Sequence, residues 1–240
     1  NWPPFAWREN DKMLTPPILK LKGGALGNGP PDPRWDLTAV LLEYGRRCAE
    51  YVRGRKEKEE PFFLYFSTTL HHGPAPWNTK SSLKADPHMT GEGFVKEGFN
   101  VLPGRKDVLR RNQAAGFKER DAYALWLDDG VGAILDKVRS LGLEKDTLII
   151  FVPDHGSYRH GKATLYEYGM RVPMLLQWKG TIRPGLKYDG LTANIDVTPT
   201  ILDLCDIEKP NDYRMDGISF KPVLFGSQKP LRNALFGELG

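Results

Sequence analysis

TLIIFVPDHG, residues 147–156, joins an apolar run to an aspartate, a histidine and a glycine. A short, continuous apolar run of this kind is typical of a strand that is buried on both faces of a sheet. The loop that follows carries His160 and Lys162, so an acid, two imidazoles and an amine collect just after the strand. In open α/β sheets, ligands bind beyond the carboxyl ends of the strands. The stretch therefore predicts a strand of the sheet and a binding site at its end.

Strands and helices alternate on both sides of this stretch. An aromatic run at 62–66 predicts another strand that is buried on both faces, and an apolar run at 174–178 predicts a third. This alternation predicts an α/β fold, a three-layer sandwich in which helices cover both faces of a mostly parallel, mixed sheet. Apolar residues at helical spacing predict four helices. One begins after Asp36, and the others cover about 120–140, 165–169 and 196–204.

Composition excludes two classes of protein. The 240 residues contain no run of about 18 apolar residues, so the sequence predicts no membrane span. The net charge of +4 favours anionic ligands only mildly and lies far below the basic density of most nucleic-acid-binding proteins, so we expect no nucleic-acid partner. Cys48 and Cys205 fit neither a disulfide framework nor a zinc site, and both are predicted to be small core residues.

The segment 75–120 shows no sustained apolar period. Within 79–120, nine lysines and arginines stand against five acids, an excess of four that equals the net charge of the whole chain. Long segments without a clear pattern are more often functional than filler. We therefore predict an irregular basic insertion at 75–120 that lies near a substrate cleft and includes Arg110 and Arg111.

Three residues of the opening stretch and its loop could carry chemistry. Asp154 either holds a hard cation through its carboxylate or only caps the next turn. His155 could be a metal ligand, a hydrogen-bond donor to a bound anion, or a core histidine. Lys162 follows a glycine in a loop, where it could bind an oxyanion as a point charge or be an ordinary exposed lysine.

Other polar residues have different claims. His71 and His72 follow the predicted strand at 62–66, so the two clusters should approach one crevice, where a histidine could protonate a leaving group. The claims of His71 and His160 are weaker than that of His72. Asp128 and Asp129 lie inside a predicted helix with side chains about 100° apart, so we predict a solvated face rather than a paired-carboxylate site.

Several segments together resemble the sulfatase family of the alkaline-phosphatase superfamily. The DHG tripeptide is followed by G-K-x-T-x-Y-E-x-G-x-R-V-P, which is similar to a conserved block of that family. The resemblance touches most of residues 37–235. It extends to PFFLYFSTTLHHGP, in which His72 matches the family's histidine, to WLDDGVGAILDKVRSLGLEKDTLIIFVPDHG and to NIDVTPTILDL.

The resemblance implies an alkaline-phosphatase-like fold and the hydrolysis of a sulfuric ester. It implies a divalent cation, usually Ca²⁺, with Asp154 as a ligand and His155 at both the metal and the sulfate. It also implies that Lys162 and His72 grip the sulfate oxygens and assist departure of the alcohol. The implied substrate is an aryl sulfate or a sulfated carbohydrate, and the implied location is periplasmic, lysosomal or secreted.

The sequence also departs from the family pattern. The family makes its formylglycine nucleophile from the first residue of C/S-x-P-x-R, and no cysteine or serine here begins that motif. We therefore expect the chain to be a central-to-late portion of a single sulfatase-like domain, inactive alone and completed by an N-terminal half. Two alternatives stay open: a phosphodiesterase or phosphonate hydrolase of the same superfamily, and a truncated, non-catalytic protein.

Overall fold

A computed structural model gives the fold as two compact units, Asn1–Leu141 and Gly142–Gly240. Among the described residues, no helix is long and apolar enough to cross a membrane. His71, His72 and His160, which carry sequence predictions, lie outside the described residues. The secondary structure is described for residues 8–9, 12–13, 40–68, 89–90, 93–94, 105–118, 121–156, 161–209 and 211–238.

The described part of the first unit consists of three helices and two short antiparallel hairpins. Two of the helices confirm predictions, since α1 (Val40–Glu57) follows Asp36 and α3 (Ala122–Ser140) covers nearly all of 120–140. Both pack together, and one face of α3 is buried through residues such as Tyr123 and Trp126. In chain order the elements are β1 (Arg8–Glu9), β2 (Lys12–Met13), α1 (Val40–Glu57), β3 (Met89–Thr90), β4 (Gly93–Phe94), α2 (Arg105–Ala114) and α3 (Ala122–Ser140).

The aromatic run at 62–66 does not form the predicted buried strand. Among the described residues no strand pairs with 61–68, and burial alternates along it. Phe62 packs edge-to-face on Tyr51 of α1 and Phe66 packs on the core of α2 and α3, while the side chain of Tyr65 is 80% exposed. A segment that contacts helices on one side buries only every second residue, so burial on both faces was wrong.

The segment 75–120 is not irregular throughout, because residues Arg105–Ala114 form α2. Val108 is fully buried against α3, and Asp107 pairs with Arg110 and Arg111 at helical spacing. Pairs three and four residues apart stabilise a helix through its charges. A helix that contains so few apolar residues gives almost no periodic signal, and the sequence pattern missed it for that reason. The proposed nearness of the segment to a substrate cleft stays a prediction.

The prediction of a solvated face for Asp128 and Asp129 is wrong for one of the two residues. Asp128 is exposed, but the Asp129 side chain is only 15% exposed and accepts two hydrogen bonds from the guanidinium of Arg111, at 3.1 and 2.5 Å. The hydrogen bond to Asp129 is the main cause that raises the pKa of Arg111. Successive residues of a helix point in different directions, so only one carboxylate faces α2.

This geometry predicts different effects for two neighbouring arginines. Arg111→Glu should destabilise the first unit by about 2 kcal/mol, because it places a carboxylate against Asp107 and Asp129. Arg110→Glu is the matched control and should leave the melting temperature almost unchanged, since the Arg110 side chain is 71% exposed. Thermal unfolding of both variants tests this, and equal losses would contradict it. Any test of the basic segment against substrate should therefore use Arg110 alone.

The described part of the second unit contains a two-stranded sheet that packs with short helices. β5 (Ile149–Phe151) pairs antiparallel with β6 (Leu175–Gln177), in the register Ile150 opposite Leu176. Both strands, the short helix α4 (Glu167–Met170) and the helix α5 (Val197–Leu204), preceded by a 3₁₀ turn at Asn194–Asp196, confirm predicted elements. The unit ends with α6 (Lys221–Leu224), whose Val223 and Leu224 form a core with Phe220.

Three details of this unit differ from the predictions. The described pairing is antiparallel because the chain between β5 and β6 turns back on itself, so the mostly parallel sheet is not seen among the described residues. Phe151 is 37% exposed, so β5 is not buried on both faces. Cys205 is exposed at the end of α5, where the buried face has already ended, whereas Cys48 is half-buried and burial raises the pKa of its thiol.

Candidate active site

The loop after β5 is held by a close approach of backbones. The amide of Gly156 donates to the carbonyl of Gly169 at 2.9 Å. A Cβ on Gly156 would overlap the Tyr168 carbonyl, and a Cβ on Gly161 would overlap the peptide between Tyr168 and Gly169. Only glycine fits where two backbones meet at this separation. Both ends of the loop 156–161 therefore pack against the same peptide, Tyr168–Gly169, within α4.

Lys162 is the second residue of the tight turn 161–164, next to this backbone contact. The amide of Thr164 donates to the carbonyl of Gly161 at 3.0 Å, and its hydroxyl donates to the same oxygen at 2.7 Å. Ala163 between them has a φ of 59°, in the left-handed region that residues with a Cβ rarely adopt. The turn leaves Lys162 exposed. The amine of Lys162 therefore lies next to the loop 156–161, called here the glycine-packed loop, as a point charge that an oxyanion could bind.

Asp154 and His155 form a local pair in front of the loop. The Asp154 side chain is 87% exposed, and its Oδ1 accepts a hydrogen bond from the amide of His155 at 2.9 Å. His155 Nδ1 lies 2.8 Å from the carbonyl oxygen of Gly156. Because a carbonyl oxygen only accepts, Nδ1 carries the hydrogen, and this fixes the neutral tautomer. His155 Nε2 lies 3.5 Å from Asp154 Oδ2.

An imidazole nitrogen and a carboxylate oxygen that lie this close and both reach solvent can bind a water molecule or a metal cation together. Histidines that bind metals in proteins usually donate their other ring N–H to a carboxylate or a backbone carbonyl, which His155 does. The pair therefore has the donor arrangement of a partial metal site.

A second network of hydrogen bonds, centred on a buried aspartate, reaches the chain just before Asp154. The side-chain amide of Asn194 donates to the carbonyl of Pro153, the residue before Asp154, at 3.2 Å. Asn194 begins the 3₁₀ turn that contains Asp196, whose fully buried carboxylate accepts two hydrogen bonds from Arg232, at 2.6 and 2.5 Å. Burial of this carboxylate favours a higher pKa, but the hydrogen bonds from Arg232, Ile218 and Ala193 prevail and lower the pKa of Asp196.

Sequence reasoning did not single out these supporting residues. An aspartate at the start of a predicted helix signals a cap for nearby amides, so a local role for Asp196 could have been found. Its partner Arg232 follows 36 residues later, and Asn194 contacts a residue 41 positions earlier. Contacts at these separations leave no periodic or local signal in a single sequence.

The structure brings together part of the predicted site. Asp154 and His155 contact each other, and Lys162 lies on the loop that follows them. His72 and His160 lie outside the described residues, so their places in a site stay predictions. In the part of the chain that the structure describes, no group of three or more histidines, cysteines, aspartates or glutamates could hold a metal ion.

Comparison with protein families settles the class of this chain. The family model described as sulfatase matches residues 31–207, which include β5, the DHG tripeptide, the glycine-packed loop and α5. The chain belongs to the sulfatase family. The match covers well over half of the chain, and the resemblance seen in its motifs is therefore confirmed.

Individual sulfatases are similar over much of the chain. Arylsulfatase A from Bos taurus is 36% identical over 217 residues, which cover 85% of this chain and 36% of that protein. N-acetylglucosamine-6-sulfatase from Capra hircus is 31% identical in an alignment 242 positions long, which covers 93% of this chain and 41% of that protein. The chain thus spans less than half the length of the curated sulfatases that it matches.

Solved structures show the fold. The PsFucS1 sulfatase from Pseudoalteromonas sp. superposes with a TM-score of 0.55 at 22% identity, over 85% of this chain and 36% of that one. A likeness at this identity speaks for the fold alone. The chain therefore has the α/β fold of the sulfatases, which is alkaline-phosphatase-like as predicted.

Proposed function

We propose that Asp154, His155 and Lys162 form one wall of the active site of a metal-dependent sulfuric-ester hydrolase. The observation that carries the proposal is the arrangement of His155, whose Nδ1–H is committed to the Gly156 carbonyl while Nε2 faces the exposed carboxylate of Asp154. Lys162 adds an exposed amine on the glycine-packed loop that follows. A site for a cation beside a site for an oxyanion is what a sulfate ester requires.

The donor set fits a divalent cation in part. Ca²⁺ takes six to eight oxygen ligands, roughly, and Asp154 supplies carboxylate oxygens that no arginine or lysine of the described residues holds. The imidazole nitrogen of His155 suits Fe²⁺, Ni²⁺ or Zn²⁺ better than it suits Ca²⁺ or Mn²⁺. A bound cation would neutralise charge on the ester oxygens. We propose a divalent cation at this pair, with Ca²⁺ as the ion that family resemblance favours and with further ligands from other residues.

The remaining roles are proposed from chemistry and family membership. Lys162 would hold a sulfate oxygen, and His72 would hold another or donate a proton to the departing alcohol. The basic segment 79–120 would line the approach to the site, which suits a sulfated carbohydrate as substrate. One sulfatase to which the chain is similar is named for a sulfated sugar, N-acetylglucosamine 6-sulfate. The three-layer arrangement of the sheet and export from the cytoplasm belong to the same proposal.

One observation favours a second candidate function. The 240 residues contain no C/S-x-P-x-R motif, from which the sulfatases make their nucleophile. A non-catalytic protein that keeps the anion-binding wall would also have this sequence, and a phosphodiesterase or phosphonate hydrolase would use a different nucleophile. The reading as a sulfatase requires the nucleophile to come from residues outside these 240, and we propose that it does.

The test of the function is turnover by a protein in which these residues are joined to a C/S-x-P-x-R segment. With a divalent cation present, 4-nitrophenyl sulfate should be hydrolysed faster than bis(4-nitrophenyl) phosphate or an aryl phosphonate. Preference for a phosphorus ester would favour the second type of hydrolase. No turnover of any ester would favour the non-catalytic reading.

Lys162→Ala should lower kcat of that protein for 4-nitrophenyl sulfate about 100-fold, because it removes a positive charge that stabilises charge developing on the sulfate. The matched control is Lys209→Ala, which removes an exposed lysine of the same unit and should leave kcat and KM unchanged. Steady-state kinetics of both variants measure the effect. Equal rates for the two variants would remove Lys162 from the site.

A further inference from the structure

Asp154 and His155 are fixed on both sides by hydrogen bonds to their neighbours in the chain. On one side the amide of Gly156 donates to the carbonyl of Gly169 at 2.9 Å. On the other side the carbonyl of Pro153 accepts from the side-chain amide of Asn194 at 3.2 Å. Between these two anchors the Asp154 side chain is 87% exposed, and among the described residues its hydrogen bond and its ion pair are both with His155. Its direction therefore depends on the anchors.

The Asn194 anchor is itself held rigidly. Within the 3₁₀ turn that Asn194 begins, the carboxylate of Asp196 accepts hydrogen bonds from the amides of Ala193 and Ile218, at 2.7 and 2.8 Å. It also forms the buried pair with Arg232, which is only 10% exposed. A Cβ on Gly217 would overlap the carbonyl of Ile195, so the turn is packed from another direction as well. The side-chain amide of Asn194 therefore donates its hydrogen bond from a fixed turn.

The hydrogen bond from Asn194 is made to the carbonyl of Pro153, the residue directly before Asp154. The peptide between Pro153 and Asp154 is planar, so holding its oxygen fixes the direction in which the backbone of Asp154 leaves. The φ angle of Pro153 is already restricted by its ring. With both constraints the Cα of Asp154 is placed, and its carboxylate moves only through the φ angle and the side-chain rotations of Asp154.

We propose that Asn194 is a positioning residue for Asp154 and His155, acting through the carbonyl of Pro153 and supported by the Asp196–Arg232 pair. The inference rests on the proposed function, since the pair it positions is the proposed metal site. Asn194 is exposed, and an exposed carbonyl can bond to water instead, so the hydrogen bond adds little to stability. Its loss should therefore appear in the affinity of the site rather than in the stability of the fold.

The probe is Mn²⁺, which accepts both nitrogen and oxygen ligands, added to the 240-residue chain with free metal measured by electron paramagnetic resonance. Asn194→Ala should weaken Mn²⁺ binding about 10-fold, as expected for a residue that orients metal ligands. Asn194→Gln keeps an amide donor and should recover part of the affinity. Asn211→Ala removes an exposed asparagine of the same unit and should bind as the parent does.

Melting temperatures of the three variants should agree with the parent within about 2 °C. Parent-like Mn²⁺ affinity in Asn194→Ala would overturn the inference, as would a loss of affinity that accompanies an equal loss in Asn211→Ala. If the parent binds no Mn²⁺, Asp154 and His155 do not hold a cation without ligands from outside this chain. The positioning is then judged by hydrogen exchange: the amides of His155 and Gly156 should exchange several-fold faster in Asn194→Ala, and unchanged exchange would overturn it.

Discussion

Arg232→Met is expected to destabilise the second unit by about 3–5 kcal/mol, the cost of leaving a buried charge without its partner. The carboxylate of Asp196 is fully buried and accepts both of its closest hydrogen bonds from the Arg232 guanidinium. Methionine fills much of the space of the arginine stem but cannot donate. Chemical denaturation followed by circular dichroism would measure the loss.

Two further variants separate buried charge from lost packing. Arg183→Met removes an exposed arginine of the same unit and should have little effect on stability. The double variant Arg232→Met with Asp196→Asn removes the uncompensated charge, and it should be more stable than Arg232→Met alone. If the double variant were the less stable of the two, the charge of Asp196 would not be the cause.

Acid provides an independent check on the same pair. The pKa of Asp196 is lowered in the folded protein, so its contribution to stability is complete above the unfolded value of about 3.9. The contribution is lost only as the pH falls below that value and through the lower folded pKa. Between pH 7 and pH 5, roughly, the gap between the parent and Arg232→Met should therefore narrow, because a buried Asp196 carboxyl that has lost Arg232 takes up a proton more readily than the paired carboxylate of the parent.

The elements that the sequence predicted well are those with a local signal. α1, α3 and α5 each show apolar residues at helical spacing, and β5 and β6 are apolar runs between turns. The loop after β5 was recognised through its motif, in which glycine spacing reflects a contact between two backbones. These features are encoded within about ten residues, and one sequence is enough to reveal them.

The features that were missed depend on contacts between distant residues. Helix α2 is held by Val108 against α3 and by charge pairs, neither of which produces a broad apolar stripe. Asp129 differs from Asp128 only because Arg111 of another helix faces it. Asn194 reaches the site because the chain folds back beside Pro153. Each outcome is decided by tertiary packing, which overrides local pattern.

Gly161→Ala is expected to cost about 3 kcal/mol and to disturb the site at the same time. The added Cβ would overlap the carbonyl carbon of Tyr168 and the nitrogen of Gly169. Backbone atoms cannot rotate away as a side chain can, so the turn that carries Lys162 or the start of α4 must shift. Overpacking of this kind destabilises proteins by roughly 1–3 kcal/mol, and sometimes more where backbone must move.

The control for the methyl group itself is Gly132→Ala in α3, where a Cβ would meet open space. Alanine favours helix over glycine by about 0.8–1 kcal/mol, so this variant should be neutral or more stable. Because Gly156 packs on the same peptide as Gly161, a shift there should also reach His155 and weaken Mn²⁺ binding in Gly161→Ala. A Gly161→Ala protein with the melting temperature and the Mn²⁺ affinity of the parent would show that the loop can accommodate a methyl group. The close backbone contact could then not be what fixes the turn that carries Lys162.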